Sequence, residues 1–347
     1  MDIHHSRAED TMKQVKQVVG IDVSMDKFDV QFGITDQELH HEYPAGAQFA
    51  NKVTGFRRLE RWAQKLSRSS KAPLWFVMEA TGTYHEQLAY YLHERGHRVV
   101  VVLPTKLKYF MKSLDNKSKT DRLDARAITQ FGLERTLEPW TPPSAQLRTL
   151  KILAREYDAL VQQAVKVRNQ MHAKDHAYTP PPETIARLRE QHRLLVRQMK
   201  AVQAQIRAIV TEDQELSGRI ANVTSAQGVG FMTAVRVVAE TGGFHLIRNA
   251  KQLTSYAGYD VVIRQSGKRV GKPAISHKGN AHLRRAVYMP ALAAIRFNPA
   301  LRRFYKRLVG TKANKKVALV AVARKLLCLI YALWRTNTPY NPHYASA

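Results

Sequence analysis

The chain has 347 residues, enough for two compact domains and a connector, and carries 55 Lys and Arg against 28 Asp and Glu. The resulting formal net charge of +27 favours a polyanionic partner over an acidic small molecule. A single cysteine, Cys328, excludes an intramolecular disulfide and argues for a reducing compartment.

Neither end of the chain predicts a membrane or export signal. Residues 1–16 form a polar N-terminal extension without the apolar core of a signal peptide, and we assign it no function. The best candidate for a membrane span, Val317–Trp334, is interrupted by Arg324 and Lys325. We therefore expect a soluble cytoplasmic protein with no membrane partner.

Residues 17–143 alternate between strand and helix patterns. Strands are expected at Val18–Ser24, Phe28–Gly33, Leu39–Tyr43, Leu74–Met78 and Val99–Leu103, with helices at Gly55–Ser67 and Tyr84–Arg95. Short turns between the first three strands predict an antiparallel meander, and the later alternation predicts parallel crossovers. This order is that of an α/β ribonuclease-H-like, or RuvC-like, domain.

Residues 144–218 have helical periodicity in two stretches. Apolar residues recur at steps of three and four from Leu147 to Met171 and again from Ile185 to Ile209. Tyr178–Pro182 separates the stretches, because consecutive prolines cannot continue a helix. We predict a coiled-coil connector, formed as an antiparallel hairpin or between two chains. A helical bundle packed within one domain is the alternative.

Residues 219–347 form a basic, mainly α-helical C-terminal domain, with 22 Lys and Arg but 2 Asp and Glu. Gly228-Val229-Gly230 between two helical stretches resembles a helix-hairpin-helix, whose glycines let the backbone approach a phosphate. Cations expected to contact nucleic acid are Lys119, Arg264, Lys268, Arg269, Lys278, Arg284 and Arg285.

Four acids are candidate metal ligands. Asp22 lies inside the first apolar strand, where an unpaired acid costs folding energy, and Glu79 follows the fourth strand at its carboxyl end. Asp121 and Asp124 are three residues apart and share a helix face. Together they offer hard oxygen ligands to a pair of Mg²⁺ ions for phosphodiester chemistry. Taken singly, Asp121 also fits a helix cap and Asp124 an ion pair with neighbouring arginines.

Ser266 is the candidate nucleophile, since it precedes Gly267 among cations that can balance charge developing on phosphorus. Ser276 is its rival, although it fits better as the cap of a helix beginning near Asn280. Three tyrosines also carry hydroxyls that can attack phosphorus, although such rings more often fill cores: Tyr256, Tyr259 and Tyr288.

Five sequence blocks, in this order, resemble the DEDD transposases of bacterial insertion sequences, which are bridge-RNA-guided serine recombinases with a RuvC-like domain. The blocks are Gly20–Ser24, Glu79–Tyr84, Lys119–Arg126, Gln265–Gly267, and Ser276–Asn280 with Leu283–Pro290. Two departures are Gln227, where the family usually has proline, and Lys268-Arg269, where it has small residues.

By this resemblance, the four acids match the metal-binding tetrad and Ser266 matches the serine that joins transiently to DNA. The resemblance also implies a noncoding guide RNA, a connecting coiled coil and a dimer of dimers. Its active site would combine the RuvC-like domain of one subunit with the C-terminal domain of another.

We therefore expect RNA-guided, Mg²⁺-dependent DNA strand transfer that mobilises an insertion sequence. Two other functions remain open. One is a RuvC-like junction nuclease that cuts with metal-activated water, while Ser266 only contacts phosphate. The other is a non-catalytic nucleic-acid-binding protein that keeps the fold and the charge.

Overall fold

The structure is a computed structural model. It describes residues 16–68, 72–80, 82–114, 120–245, 247–263, 265–266, 269–270, 274–311 and 314–342. The chain divides into two compact units, Met1–Pro142 and Pro143–Ala347.

The N-terminal unit is a mixed sheet with helices on both faces. Its elements are β1 (Lys16–Val23), β2 (Lys27–Thr35), β3 (His41–Ala50), α1 (Val53–Leu66), β4 (Leu74–Glu79), α2 (Glu86–Glu94), β5 (Arg98–Val102), α3 (Pro104–Lys112) and α4 (Asp121–Glu134). The strand order is β3-β2-β1-β4-β5, antiparallel among the first three strands and parallel from β1 to β5. The predicted ribonuclease-H-like order is confirmed.

The third strand differs from its prediction. We expected Leu39–Tyr43, but β3 runs from His41 to Ala50. Leu39 has a φ of 65° and belongs to the turn after β2. β3 is an edge strand, which tolerates Pro44 because one side of its backbone needs no partner.

Side chains of the central strands alternate between two apolar layers, as the period of two in a strand requires. Val19 and Ile21 of β1 face the layer formed with α1 and α2. Val18 of β1 and Val77 of β4 face the other layer, where α3 and α4 pack. Covering both faces explains why these strands have long apolar runs.

The C-terminal unit is mainly helical. Its elements are α5 (Ala145–Asp175), α6 (Pro182–Glu212), α7 (Gln214–Thr224), α8 (Phe231–Glu240), α9 (Ala250–Tyr256), β6 (Val261–Val262), β7 (Gln265–Ser266), β8 (Arg269–Val270), β9 (Ala274–Ile275), α10 (Ala281–Phe297), α11 (Pro299–Thr311) and α12 (Lys315–Thr336).

Helices α5 and α6 form the predicted hairpin. Near the hairpin turn, Ala164 and Val167 of α5 pack against Leu195 of α6 in a small cluster of their own. Farther along, Leu150 of α5 and Ile206 of α6 join the large core of the C-terminal unit. The hairpin is thus coiled-coil-like at its turn end and part of a helical bundle at its other end.

The helix-hairpin-helix-like element consists of α7, a turn and α8. Gly228 in the turn has a φ of 97°, and a Cβ there would lie 2.5 Å from the Cα of Ala294 in α10. Glycine is therefore required for close approach to a neighbouring helix, whereas the sequence suggested approach to a phosphate.

Helix α12 is long and apolar enough to cross a membrane by length and composition. Within the C-terminal unit, however, 56% of its most apolar window is buried. Leu319, Val322 and Leu326 are among the residues that it contributes to the core. This is the pattern of a core helix.

Candidate active site

Asp22 and Glu79 lie at the carboxyl ends of two neighbouring parallel strands. Asp22 is the last residue but one of β1, and Glu79 is the last residue of β4. Ile21 pairs with Met78 in the register, so Asp22 and Glu79 follow side by side, with strands about 4.8 Å apart. Alternation directs both carboxylates to the sheet face that α4 covers.

A close contact between α4 and β1 determines where the two remaining acids lie. A Cβ on Gly20 would be 2.3 Å from the backbone N of Thr129, so only glycine allows this approach. The Thr129 hydroxyl accepts a hydrogen bond from Gly20 N at 3.2 Å and lies 2.9 Å from the carbonyl oxygen of Gln31. Thr129 thus fixes α4 to both β1 and β2.

The contacts also give the direction of α4 relative to β1. Gly132 packs against Val18, whereas Ala125 packs against Gly20. Helix α4 therefore runs antiparallel to β1. One further step along β1 therefore brings Asp22 to the first turn of α4, which contains Asp121 and Asp124.

The pKa of Asp22 is consistent with the proximity of these acids. Loss of hydration on burial is the largest cause that raises its pKa, which reaches about 6. Nearby negative charges also raise it, in falling order: Asp124, Asp121, Glu79 and Asp29. Asp22 is therefore a half-buried carboxylate with several other carboxylates near it.

The four acids match a divalent cation in donor chemistry, because all of their donor atoms are hard oxygens. Among the described residues, however, no three His, Cys, Asp or Glu side chains form a group with metal-site spacing. Asp121 is 64% exposed and lies 3.9 Å from Lys27 Nζ. Like charges at close range repel by about 4 kcal/mol at an effective dielectric near 20, which favours separated carboxylates.

Thr120, and not Asp121, caps α4. The Thr120 hydroxyl accepts a hydrogen bond from Leu123 N at 3.3 Å. Asp121 and Asp124 in the first turn still gain stabilisation from the positive end of the helix dipole.

Asn51 joins the two loops that follow the acidic strands, a role that the sequence did not suggest. Its Nδ2 donates to the carbonyl oxygen of Ser24, after β1, at 2.9 Å, and to that of Tyr84, after β4, at 3.1 Å. Asn51 therefore helps to fix the spacing between the strand ends that carry Asp22 and Glu79.

In the C-terminal unit, two short antiparallel strand pairs, called the arm below, include Ser266. β6 pairs with β9, and β7 pairs with β8, where Ser266 faces Arg269. For Ser266 and Arg269 the description covers the backbone. Lys119, Arg264 and Lys268 lie outside the described residues.

The arm has a tightly closed base. Ser276 N donates to Asp260 O at 2.8 Å, and Asn280 N donates to Tyr256 O at 2.8 Å. At Gly279, which has a φ of 151°, a Cβ would lie 2.4 Å from Tyr256 O. The base of the arm thus leaves no room for a side chain at this glycine.

The predicted phosphate contacts in this region have different surroundings. Arg284 Nη1 donates to Ala257 O at 2.8 Å, so its guanidinium contacts the base of the arm. Lys278 and Arg285 are exposed. The prediction that Ser276 caps α10 is wrong, because the helix begins five residues later and Asn280 accepts from Leu283 N at 3.0 Å.

Tyr259, which is buried, and Tyr256, which is partly buried, are unsuited to attack phosphorus. Burial raises the pKa of Tyr259 to about 12, and its hydroxyl donates to Arg284 O at 3.3 Å. Burial likewise raises the pKa of Tyr256, whose hydroxyl donates to Glu240 O at 3.2 Å. Tyr288 is partly exposed.

Glu240 is a buried acid that the sequence analysis did not single out. Its carboxylate receives two hydrogen bonds from Arg155 of α5, at 2.7 and 3.0 Å, and one from Asn280 at 2.7 Å. It thereby joins α5, α8 and the start of α10. The available signal was its rarity, since Glu240 and Asp260 are the only acids after residue 218.

Comparison with known proteins gives matches over most of the chain. Residues 19–180 match a family model for transposases, the DEDD transposase model of the IS110 type. Residues 220–306 match a model described as a transposase of the IS116/IS110/IS902 family.

Two relatives align over nearly their whole length. The pilin gene-inverting protein of Moraxella bovis is 29% identical over 331 residues, which cover 94% of this chain and 98% of that protein. The transposase for insertion sequence element IS1111A of Coxiella burnetii is 24% identical, covering 95% and 93%. Among solved structures, Thermus thermophilus RuvC is 13% identical and covers 36% of this chain and 99% of its own, with a TM-score of 0.28.

Proposed function

This chain belongs to the IS110/IS116/IS902 family of transposases, and we propose that it mobilises an insertion sequence by RNA-guided, Mg²⁺-dependent DNA strand transfer. Its class as a DNA transposase or recombinase follows from the family. The metal ions, the nucleophile, the guide RNA and the assembly are the proposed parts.

The observation that carries the proposal is the set of four acids that β1, β4 and α4 contribute to one face of the sheet. We propose that Asp22, Glu79, Asp121 and Asp124 hold two Mg²⁺ ions. Burial first, and then the charges of the other three acids, raise the pKa of Asp22, which supports their proximity to it. Bound ions would neutralise these charges and stabilise charge on the reacting phosphate. The carboxylates themselves bind and orient the cations.

Ser266 would act as the nucleophile. Its hydroxyl oxygen forms a bond to the scissile phosphorus while the bond from phosphorus to one strand's oxygen breaks, and that oxygen takes up a proton. The released hydroxyl of a second strand then attacks the serine phosphodiester and restores the serine hydroxyl. Lys119, Arg264, Lys268, Arg269, Lys278, Arg284 and Arg285 are proposed to hold phosphates or the arm that carries Ser266.

The guide RNA and the assembly rest on the family resemblance. We propose that a noncoding RNA pairs with donor and target DNA, and that the protein works as a dimer of dimers. A composite site, with carboxylates from one subunit and Ser266 from another, would account for their positions in separate units of the chain.

A covalent-adduct assay tests the proposal. Full-length protein, Mg²⁺, the RNA transcribed beside the coding region and labelled DNA of the element ends should give a DNA–protein adduct that survives denaturing electrophoresis. Ser266→Ala should abolish the adduct. Ser276→Ala, in the same domain, is the matched control and should retain it.

The other outcomes separate the alternatives. Mg²⁺-dependent cleavage with free DNA ends and no adduct would identify a junction nuclease that uses water. Binding without cleavage, unchanged by Asp22→Asn, would identify a non-catalytic binding protein. An adduct that survives Ser266→Ala would assign another nucleophile.

A further inference from the structure

We propose that an exposed basic face of α11 binds the phosphate backbone of duplex DNA. This α11 basic face consists of Arg303, Lys306 and Arg307. The three side chains are exposed, and spacings of three and four residues place them on one side of the helix. They extend beyond the cations that the sequence pattern selected.

Packing fixes the direction in which this face points. On the opposite side of α11, Leu301 is buried in the core, and Phe304 and Tyr305 pack against it. Arg302 is excluded from the basic face because its guanidinium donates to Ile295 O at 3.2 Å, near the end of α10. Within the part of the chain that the structure describes, the side chains of Arg303, Lys306 and Arg307 donate no such hydrogen bond to a helix end.

The charge of the α11 basic face is uncompensated. From Val261 to Ala347 the sequence contains no Asp or Glu. Among the described residues, no cation of α11 or α12 forms an ion pair. Arg307 and Lys325 contact the same Phe304 ring, at 5.5 and 4.7 Å from its centre, and an aromatic ring carries no net charge that could neutralise them.

A polyanion would compensate this charge. Clustered cations repel one another in the free protein, and binding to DNA gains free energy because they neutralise phosphates and release the counterions condensed on the DNA. From Arg303 to Arg307 the helix rises about 6 Å, a length over which B-DNA carries several negative charges. The face contains only Lys and Arg, so we expect backbone contact without base recognition.

Duplex DNA is the partner to which the proposal commits, and in this choice it rests on the proposed function. The substrate of strand transfer must be held firmly while its strands are cut and rejoined. A surface that binds backbone independently of sequence suits that task for both element ends and target.

Equilibrium binding of full-length Ser266→Ala protein to a labelled 30-base-pair duplex tests the inference without requiring strand transfer. Substitution of Arg303, Lys306 and Arg307 together by Gln should reduce the slope of log K against log salt by about 2 to 3. Affinity near 0.1 M salt should fall by at least about tenfold.

The matched control is α1, where Arg57, Arg58 and Arg61 are exposed at similar helical spacing. Their replacement by Gln removes the same charge and should leave the slope within about 0.5 of its original value. Thermal unfolding checks the fold of both variants. Lys306→Gln alone, with a slope change of about 1, replaces the triple variant if that variant unfolds.

Three outcomes would overturn the inference. An unchanged slope in the α11 variant would exclude the contact. Equal losses in the α1 and α11 variants would indicate a general charge effect. If the α11 variant lost binding to duplex RNA but kept binding to duplex DNA, the face would be assigned to RNA. That result would overturn this inference and leave the proposed strand transfer untouched.

Discussion

Asp22 in the N-terminal unit is half-buried, Glu240 in the C-terminal unit is buried, and the two carboxylates have opposite electrostatic environments. Burial and neighbouring acids raise the pKa of Asp22 to about 6. Burial alone would also raise the pKa of Glu240, but hydrogen bonds from Arg155 and Asn280 lower it overall. The charge of Glu240 is compensated by a cation of the protein itself, which indicates a structural role. Negative charge accumulates around Asp22, which indicates a site suited to cations from solution.

The largest expected difference concerns activity. Asp22→Asn should reduce Mg²⁺-dependent DNA cleavage by more than about 100-fold, beyond what is typical for loss of an outer-shell partner of a metal site. It should not lower the free energy of unfolding at pH 7, because it removes a charge that its neighbours repel. Cleavage rates and urea unfolding of the same preparation measure both effects.

The corresponding substitution in the C-terminal unit should affect stability first. Glu240→Gln leaves the Arg155 guanidinium without its counter-charge and should cost about 3 kcal/mol of unfolding free energy, near the lower end for broken buried pairs. The expected loss of unfolding free energy is at the lower end of the range because the Arg155 side chain is 44% exposed, against 3% for Glu240, so water can solvate the unpaired guanidinium.

Glu215→Gln is the control for this change. Glu215 pairs with Arg219 at 3.0 Å, but its side chain is 75% exposed. Its loss should cost less than about 1 kcal/mol. If Glu240→Gln proved as mild as Glu215→Gln, the contrast between Asp22 and Glu240 would lose its basis.

The smallest effect is on the pH dependence of stability. The folded-state pKa of Asp22, about 6, lies above the 3.8 of an ordinary aspartate side chain, so folding takes up a proton between these two pH values. The contribution of Asp22 to stability should therefore fall as pH rises from about 4 to about 6. Asp22→Asn should flatten this slope in thermal unfolding.

Mg²⁺ sharpens the same measurement. Cations bind the ionised carboxylates, so Mg²⁺ should raise the unfolding temperature more at pH 8 than at pH 5. In Asp22→Asn the Mg²⁺ effect should be smaller at both values. An equal Mg²⁺ effect in the wild type at both pH values would argue against a cation site at these acids.

Local patterns were sufficient for much of the fold. Strand-type runs, the helical periodicity and the proline break predicted the strand order and the α5–α6 hairpin, because side-chain alternation and backbone restrictions act over a few residues. They failed at β3, where Leu39 reads as a strand residue but lies in a turn. An edge strand has weak apolar alternation, which left its register poorly specified.

The residue types of the candidate site were also visible in the sequence, since an acid within an apolar strand is costly unless it has a partner or a ligand. How these acids come together was not visible. It depends on the contact between Gly20 and Thr129, which lie 109 residues apart in the sequence. Likewise, Glu240 and the Arg155 that compensates its charge lie 85 residues apart.

Composition and short-range pattern thus specified a basic chain with a ribonuclease-H-like sheet and acids at its strand ends. Long-range packing determined that Arg155 lies beside Glu240, that Ser276 does not cap α10, and which cations of α11 remain exposed. The division has one physical cause. Propensities and periodicity act between near neighbours, whereas charge compensation and close helix–sheet contact exist only after distant segments have packed together.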